Sequence, residues 1–356
     1  MRHDIIVIGG SAGALDSVRK IVASLPPSLP ASIFIVIHIS PHTESELPSL
    51  FNHVSQLRAS QPRDNETFEK SHIYIAPPDL HMMLEKGRIR VLRGPKENMA
   101  RPAIDVLFRS AAQVYGQKVI GVILSGTLDD GAAGLRAVQM MGGTTVVQDP
   151  VEALHSGMPL AALNAVNADH CLQSTDIGKL LMKLVNNHKK ATVKNASGDL
   201  ETENESSKFN MAVIEKQEKP GRPSVFSCPD CKGVLWEIQD GVLVRYRCRT
   251  GHGYSPQSLA AAELEKIDEA LWTALTALEE SAALSQKICQ QAAAHNQAWL
   301  ASHFEQKSKD SQAKAQMLRK ILIEENTLEP VAKRKRSSLK NKTRKSAAAR
   351  TGVGAD

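Results

Sequence analysis

Short runs of isoleucine and valine alternate with amphipathic stretches through the first half of this 356-residue chain. The runs fall at residues 4–8, 32–37, 73–76, 119–124 and 144–147. They are apolar on both sides of the period-two repeat, which is how strands buried on both faces read. Residues 15–25, 104–115 and 132–141 space their apolar side chains as helices do. This alternation predicts the α/β class, with a mostly parallel, doubly wound sheet and helices on both faces. Residues 82–92 depart from it: Glu85-Lys86-Gly87 separates two short runs and predicts a hairpin insertion.

The pattern stops near residue 187, and the chain divides accordingly. Residues 1–187 are expected to form the α/β domain. Residues 188–223, rich in Ser, Glu, Asn and Thr, read as a flexible linker. Residues 224–254 read as a small cysteine-bearing unit. Residues 255–326 read as a helical region, with Ser255 as N-cap and Pro256 at the first helical position. Its two helical stretches could pair as an antiparallel hairpin or form a homodimer as a dimerising coil. Trp272 and Trp299 are expected to pack. Residues 327–356 read as a disordered basic tail. The chain's net charge is +6, yet residues 331–356 alone carry +8, leaving the remainder near −2. That distribution does not favour a nucleic-acid partner for the folded part. No apolar run approaches the roughly 18–20 residues that cross a bilayer, so no membrane insertion is expected and a cytoplasmic location is.

Three of the five cysteines cluster. Cys228, Cys231, Cys248 and His252 stand as C-x2-C-x16-C-x3-H. Two short runs flank Gln239-Asp240-Gly241, a hairpin turn, so one ligand pair would sit at each end of a hairpin, as in zinc ribbons. Thiolate and imidazole ligands with no evident open position suit structural, tetrahedral Zn²⁺. A unit this small needs the metal's binding energy to fold. Cys171 and Cys289 are expected as buried small apolar residues. Arg245 and Arg247 lie on the hairpin without the aromatic company of a nucleic-acid surface.

The first strand runs into Gly9-Gly10-Ser11-Ala12-Gly13-Ala14, followed by a helix. A dinucleotide turn needs glycine at the second place of G-x-G-x-x-G, where this chain has Ser11. The alternative, G-x-S-x-G, is met by Gly9, Ser11 and Gly13; it exposes a serine hydroxyl above a sheet edge and sets a helix N-terminus behind it. His38 follows the second strand, and Asp129-Asp130-Gly131 follows the strand at 119–124. Ser11, His38 and an aspartate thus lie just past the carboxyl ends of parallel strands, where α/β sheets bind ligands. Together they make a Ser-His-Asp hydrolase site, in a chain order unlike that of the α/β-hydrolases.

Five segments carry a more specific likeness. They are Ile8-Gly9-Gly10-Ser11-Ala12-Gly13, Val36-Ile37-His38-Ile39-Ser40-Pro41, Ile75-Ala76-Pro77-Pro78-Asp79, Arg101-Pro102-Ala103-Ile104-Asp105-Val106-Leu107-Phe108 and Gly157-Met158-Pro159. In this order, residues 1–187 resemble the catalytic domain of the chemotaxis protein-glutamate methylesterases, the CheB family. The resemblance implies a three-layer α/β/α sandwich that hydrolyses γ-glutamyl methyl esters on chemoreceptor helices, with deamidation of glutamine in some members. It implies Ser11 as nucleophile, His38 as general base and Asp130, directly before glycine, as the third member. Ala12 and Thr127 would border the oxyanion, and catalysis would need no cofactor. Thr127 and Leu128 depart from the family's usual Met and Gly. The family's usual receiver domain is not expected here, since the catalytic strand begins at residue 4. The partners implied are a methylated, chemoreceptor-like helical protein and a methyltransferase or regulator protein. A non-catalytic signalling scaffold and a carboxylesterase for a small ester are the competing readings.

Overall fold

The computed structural model describes residues 4–41, 45–186, 221–240 and 243–327. Nearly all of the expected linker and basic tail, and Gly241 of the expected hairpin turn, lie outside these residues. The described residues up to Ala262 form one compact unit and those from Glu263 onward another.

The first unit is built on a seven-stranded sheet. Its strands are β1 (Ile5–Gly10), β2 (Ser32–Ile37), β3 (Arg58–Ser60), β5 (His72–Ile75), β8 (Val119–Ile123), β9 (Thr144–Gln148) and β10 (His170–Leu172). The order is β10-β9-β8-β1-β2-β5-β3, with every pairing parallel. Alternate residues of each strand enter opposite cores. Val7, Phe34 and Tyr74 face one, with α3 (Ile104–Tyr115), α4 (Ala132–Met140) and α5 (Gly157–Ala165). Ile6, Ile8, Ile33 and Ile35 face the other, with α1 (Ala14–Ala23), α2 (Leu47–Val54) and α6 (Ser174–Asn186). The result is the expected three-layer sandwich. All six residues of β1 and of β2 are buried, and each large apolar side chain buried this way contributes roughly 1.5–3 kcal/mol.

The chain moves outward from β1 to β2 and later returns to β8 on the other side of β1. That switch point opens a crevice at the carboxyl edge of the central strand. The expected hairpin is present as β6 (His81–Glu85) and β7 (Arg88–Leu92), joined by β4 (Glu66–Thr67) in a small antiparallel sheet.

A second, four-stranded antiparallel sheet belongs to the same unit. It comprises β11 (Arg222–Ser227), β12 (Val234–Asp240), β13 (Leu243–Cys248) and β14 (Gly253–Tyr254). Strand β11 begins inside the segment read as linker, because Arg222 and Pro223 pair with Glu237 and Trp236. Helix α7 (Pro256–Ala294) starts as expected: Ser255 Oγ accepts the Ser258 backbone N–H at 2.9 Å, the bond of an N-cap to its third helical residue. It is followed by α8 (Ala298–Thr327). In the second unit the two helices pack antiparallel, with Leu275, Ala315 and Leu322 buried and Ser308 Oγ bonded to Ala282 O at 2.9 Å.

Several side chains depart from expectation. Cys171 is exposed on the edge strand β10 and Cys289 is half-buried, so neither is a core residue. Trp272 is 49% and Trp299 76% exposed, because the seam between α7 and α8 is filled by leucine and alanine; Trp299 stacks on His303 instead. Arg247 is buried rather than presented on the hairpin surface.

Candidate active site

At the end of β1 the chain turns sharply, and Ser11 sits on the turn. Gly13 closes it at φ 76°, a conformation glycine adopts without strain. A Cβ there would stand 2.7 Å from Leu154 Cβ and 2.9 Å from Ser125 Oγ. Buried Ser125 fixes the turn from below. Its carbonyl accepts the Ser11 N–H at 2.9 Å, and its hydroxyl donates to Ala12 O at 2.8 Å. Among the described residues the backbone N–H groups of Ala12 and Gly13 have no hydrogen-bond partner. They lie at the positive end of α1, where a developing negative charge is favoured. Thr127 is exposed in the loop after β8, on the same rim.

His38 stands one step beyond β2. Strands β1 and β2 pair Gly10 with Ile37, so Ser11 and His38 are the next neighbours in register. His38 Nε2 donates to Asp130 Oδ2 at 2.8 Å. The imidazole is 22% exposed and the carboxylate 3%. This bond leaves Nδ1 as the basic nitrogen of the ring. Among the described residues neither Nδ1 nor Ser11 Oγ has a hydrogen-bond partner.

Asp130 is held from four directions. Oδ2 also accepts the Ile104 N–H at 2.7 Å, and Oδ1 accepts Asn98 Nδ2 at 3.0 Å and the Asp105 N–H at 3.2 Å. Burial alone would raise its pKa, but the bonds from His38, Asn98 and Ile104 outweigh burial and hold it below the usual carboxylate range. Asp129, its neighbour, turns away and accepts Ser255 Oγ at 2.7 Å; burial pushes its carboxyl up to about 6. The structure therefore joins Asp130, not Asp129, to the imidazole.

Two site residues were not singled out in the sequence, although Asp105 lies within one of the five family-like segments. Asp105 is buried beside Asp130 and accepts the Gly134 N–H at 2.6 Å; burial, then the Asp130 charge, pushes its carboxyl up to about 7. Asn98 donates to both carboxylates, to Asp105 Oδ2 at 2.9 Å and to Asp130 Oδ1 at 3.0 Å. It lies in an irregular segment, and its partners are distant in sequence. Nearby, two of the motif segments meet, with Arg101 paired to Asp79 through Nη2 at 2.6 Å and Nε at 2.9 Å.

The four candidate metal ligands also converge. The ligand atoms of Cys228, Cys231, Cys248 and His252 all lie within 4.8 Å of one another. Cys248 Sγ is 3.5 Å from Cys231 Sγ and 3.5 Å from His252 Nδ1. A tetrahedral Zn²⁺ with Zn–S near 2.3 Å sets ligand atoms about 3.8 Å apart, so the cluster fits that ion. Two tight turns present the ligands. Lys232 N–H donates to Cys228 O at 2.8 Å, and Gly251 N–H donates to Cys248 O at 3.0 Å.

A family model described as CheB methylesterase matches residues 6–181. A Leptospira interrogans protein, to which protein-glutamate methylesterase and protein-glutamine glutaminase activities are ascribed, is 35% identical over 189 residues, covering 53% of this chain and 98% of that protein. A protein-glutamate methylesterase/protein-glutamine glutaminase of Hydrogenovibrio crunogenus is 33% identical over 187 residues, or 51% of this chain and 50% of that one. This chain thus spans about half the length of that relative. The crystal structure of the Thermotoga maritima CheB methylesterase catalytic domain superposes with a TM-score of 0.50 at 32% identity, covering 52% of this chain and all of that domain.

Proposed function

The chain belongs to the CheB methylesterase family, and we propose that it hydrolyses γ-glutamyl methyl esters on a helical, chemoreceptor-like protein through Ser11, His38 and Asp130. The observation that carries this reading is the 2.8 Å bond from His38 Nε2 to Asp130 Oδ2, with Ser11 and His38 each one residue beyond the paired ends of β1 and β2.

The chemistry is acyl transfer in two steps. His38 Nδ1 takes the proton from Ser11 Oγ as Oγ attacks the ester carbonyl. The carbonyl oxygen gains the negative charge and accepts from the free Ala12 N–H, with the Thr127 loop bordering it. The carbonyl carbon–methoxy bond then breaks, His38 returns the proton to the methoxy oxygen, and methanol leaves. Water, deprotonated by the same nitrogen, attacks the acyl-serine; Ser11 is regenerated and the product is glutamate. Asp130 stays ionised and fixes the imidazole tautomer through Nε2–H. With a glutamine side chain the same steps expel ammonia, the second activity in the relatives' names.

Zn²⁺ held by Cys228, Cys231, Cys248 and His252 is the structural metal of the ribbon, since the set is four protein ligands with no position kept for a substrate. Elemental analysis should return one zinc per chain; a ratio near zero contradicts this assignment. No described helix is long and apolar enough to cross a membrane.

Release of labelled methanol from a methyl-esterified receptor tests the esterase reading. Ser11→Ala should lower kcat by at least ~10³-fold. Equal release from both proteins overturns it.

A further inference from the structure

The metal-ligand loop and the triad aspartate are joined by three residues, 96–98. Gly253, directly after the ligand His252, pairs with this segment as a strand would. Its N–H donates to Lys96 O at 3.1 Å, and its carbonyl accepts the Asn98 N–H at 2.8 Å. Between these bonds the Glu97 carboxylate is buried and receives two guanidinium groups. Arg109 of α3 binds it at 2.7 and 2.8 Å, and Arg247, directly before the ligand Cys248, at 3.2 Å. Arg247 also donates to Gly251 O, inside the ligand loop, at 2.8 Å.

The Asn98 side chain completes the link. Its Oδ1 accepts the Ser255 N–H at 3.0 Å and Ser258 Oγ at 3.1 Å, both at the start of α7. That fixes which end of the amide faces which way. Nδ2 is then turned to Asp105 and Asp130, where it supplies one N–H to each carboxylate. Asn98 also holds φ 49°, a left-handed conformation that asparagine tolerates better than most residues. If the ribbon loosens, the amide loses the partners that orient it, and the two buried carboxylates lose the donor between them.

We propose that Asn98 is a positioning residue for Asp130, that the Cys/His unit holds Asn98 in place, and that metal occupancy of this unit therefore sets the reactivity of Ser11. The proposal rests on Ser11 being the nucleophile and on the four ligands taking Zn²⁺. The coupling path is physical and short. The metal closes the 248–252 loop, the loop sets Gly253 and Arg247, these set residues 96–98, and Asn98 sets the carboxylate that orients His38.

The full chain tests it, with a fluorophosphonate as the probe and intact mass as the readout. The rate of adduct formation at Ser11 is compared for protein loaded with one equivalent of zinc and for protein stripped of it. The expected result is labelling about tenfold slower without zinc, restored on adding one equivalent. Asn98→Ala and the isosteric Asn98→Asp should keep their zinc yet label about tenfold slower when loaded. Stripping zinc from them should change the rate less than about twofold, because the link is already cut. A purely structural role predicts no such loss of zinc dependence. Equal labelling of native protein with and without zinc overturns the proposal, as does a zinc effect as large in the Asn98 variants as in the native chain. No adduct at Ser11 in loaded protein marks failure of the nucleophile assignment. No bound zinc marks failure of the metal assignment.

Discussion

Asp105 and Asp130 share one buried corner, and the protein treats them oppositely. Asp130 collects donors on both oxygens and is held ionised; Asp105 is pushed up to about 7 by burial and by its neighbour's charge. A carboxyl whose pKa is higher folded than unfolded binds its proton more tightly in the native state. Its stabilisation is complete below the ordinary value of 3.8 and is gone once pH has risen through about 7. The native protein should therefore lose stability relative to Asp105→Asn as pH rises from about 4 to about 7. Asp130, with its pKa depressed, acts in the other direction and only at lower pH. Urea unfolding of both proteins at pH 5 and pH 8 checks this. The asparagine variant should gain on the native protein at the higher pH, and an unchanged difference contradicts the assignment.

The strand–turn–helix element that carries Ser11 owes its shape to one glycine. Gly13 and Gly87 both adopt positive φ, 76° and 75°. An alanine at Gly87 meets nothing within 4 Å and pays only the left-handed conformation, roughly 1–2 kcal/mol. An alanine at Gly13 pays the same and also collides with Leu154 and Ser125, for roughly a further 1–3 kcal/mol. Gly13→Ala should thus lower unfolding stability more than Gly87→Ala, and equal losses contradict the tight turn. Elements of this kind were legible in sequence for a plain reason. Strands β1, β2 and β8 are buried on both faces and so read as runs rich in isoleucine and valine, while β9 shows this only at Val146 and Val147. Helix α5 was not legible, because Gly-Met-Pro-Leu-Ala-Ala-Leu-Asn-Ala has too little polar surface to show a period. Strands β3 and β10, three residues each, are too short to show one. Trp272 and Trp299 misled because helical spacing does not say which face another helix will cover.

Across the whole first unit, the sheet's carboxyl edge gathers what the sequence scatters. Ser11, His38 and the Asp129-Asp130 pair were legible as candidates because each follows a recognisable strand; the family resemblance alone singled out Asp130, the carboxylate that bonds His38. The convergence of the four candidate metal ligands was legible from spacing alone. The contacts between these two centres were not. Asn98 meets Asp130 and Ser255 across 32 and 157 residues, and no local pattern encodes such a meeting. Nor did the sequence show that Arg247 would be buried against Glu97, since a basic residue on a hairpin ordinarily faces solvent. In the proposed mechanism three strand ends make one acyl-transfer device. The most direct measurement is the methanol-release rate of Ser11→Ala, His38→Ala and the double variant. Groups acting as a unit are grossly non-additive, so the double variant should be no slower than either single one. A double variant slowed by the product of the two single effects would show that Ser11 and His38 act independently, and would contradict the account.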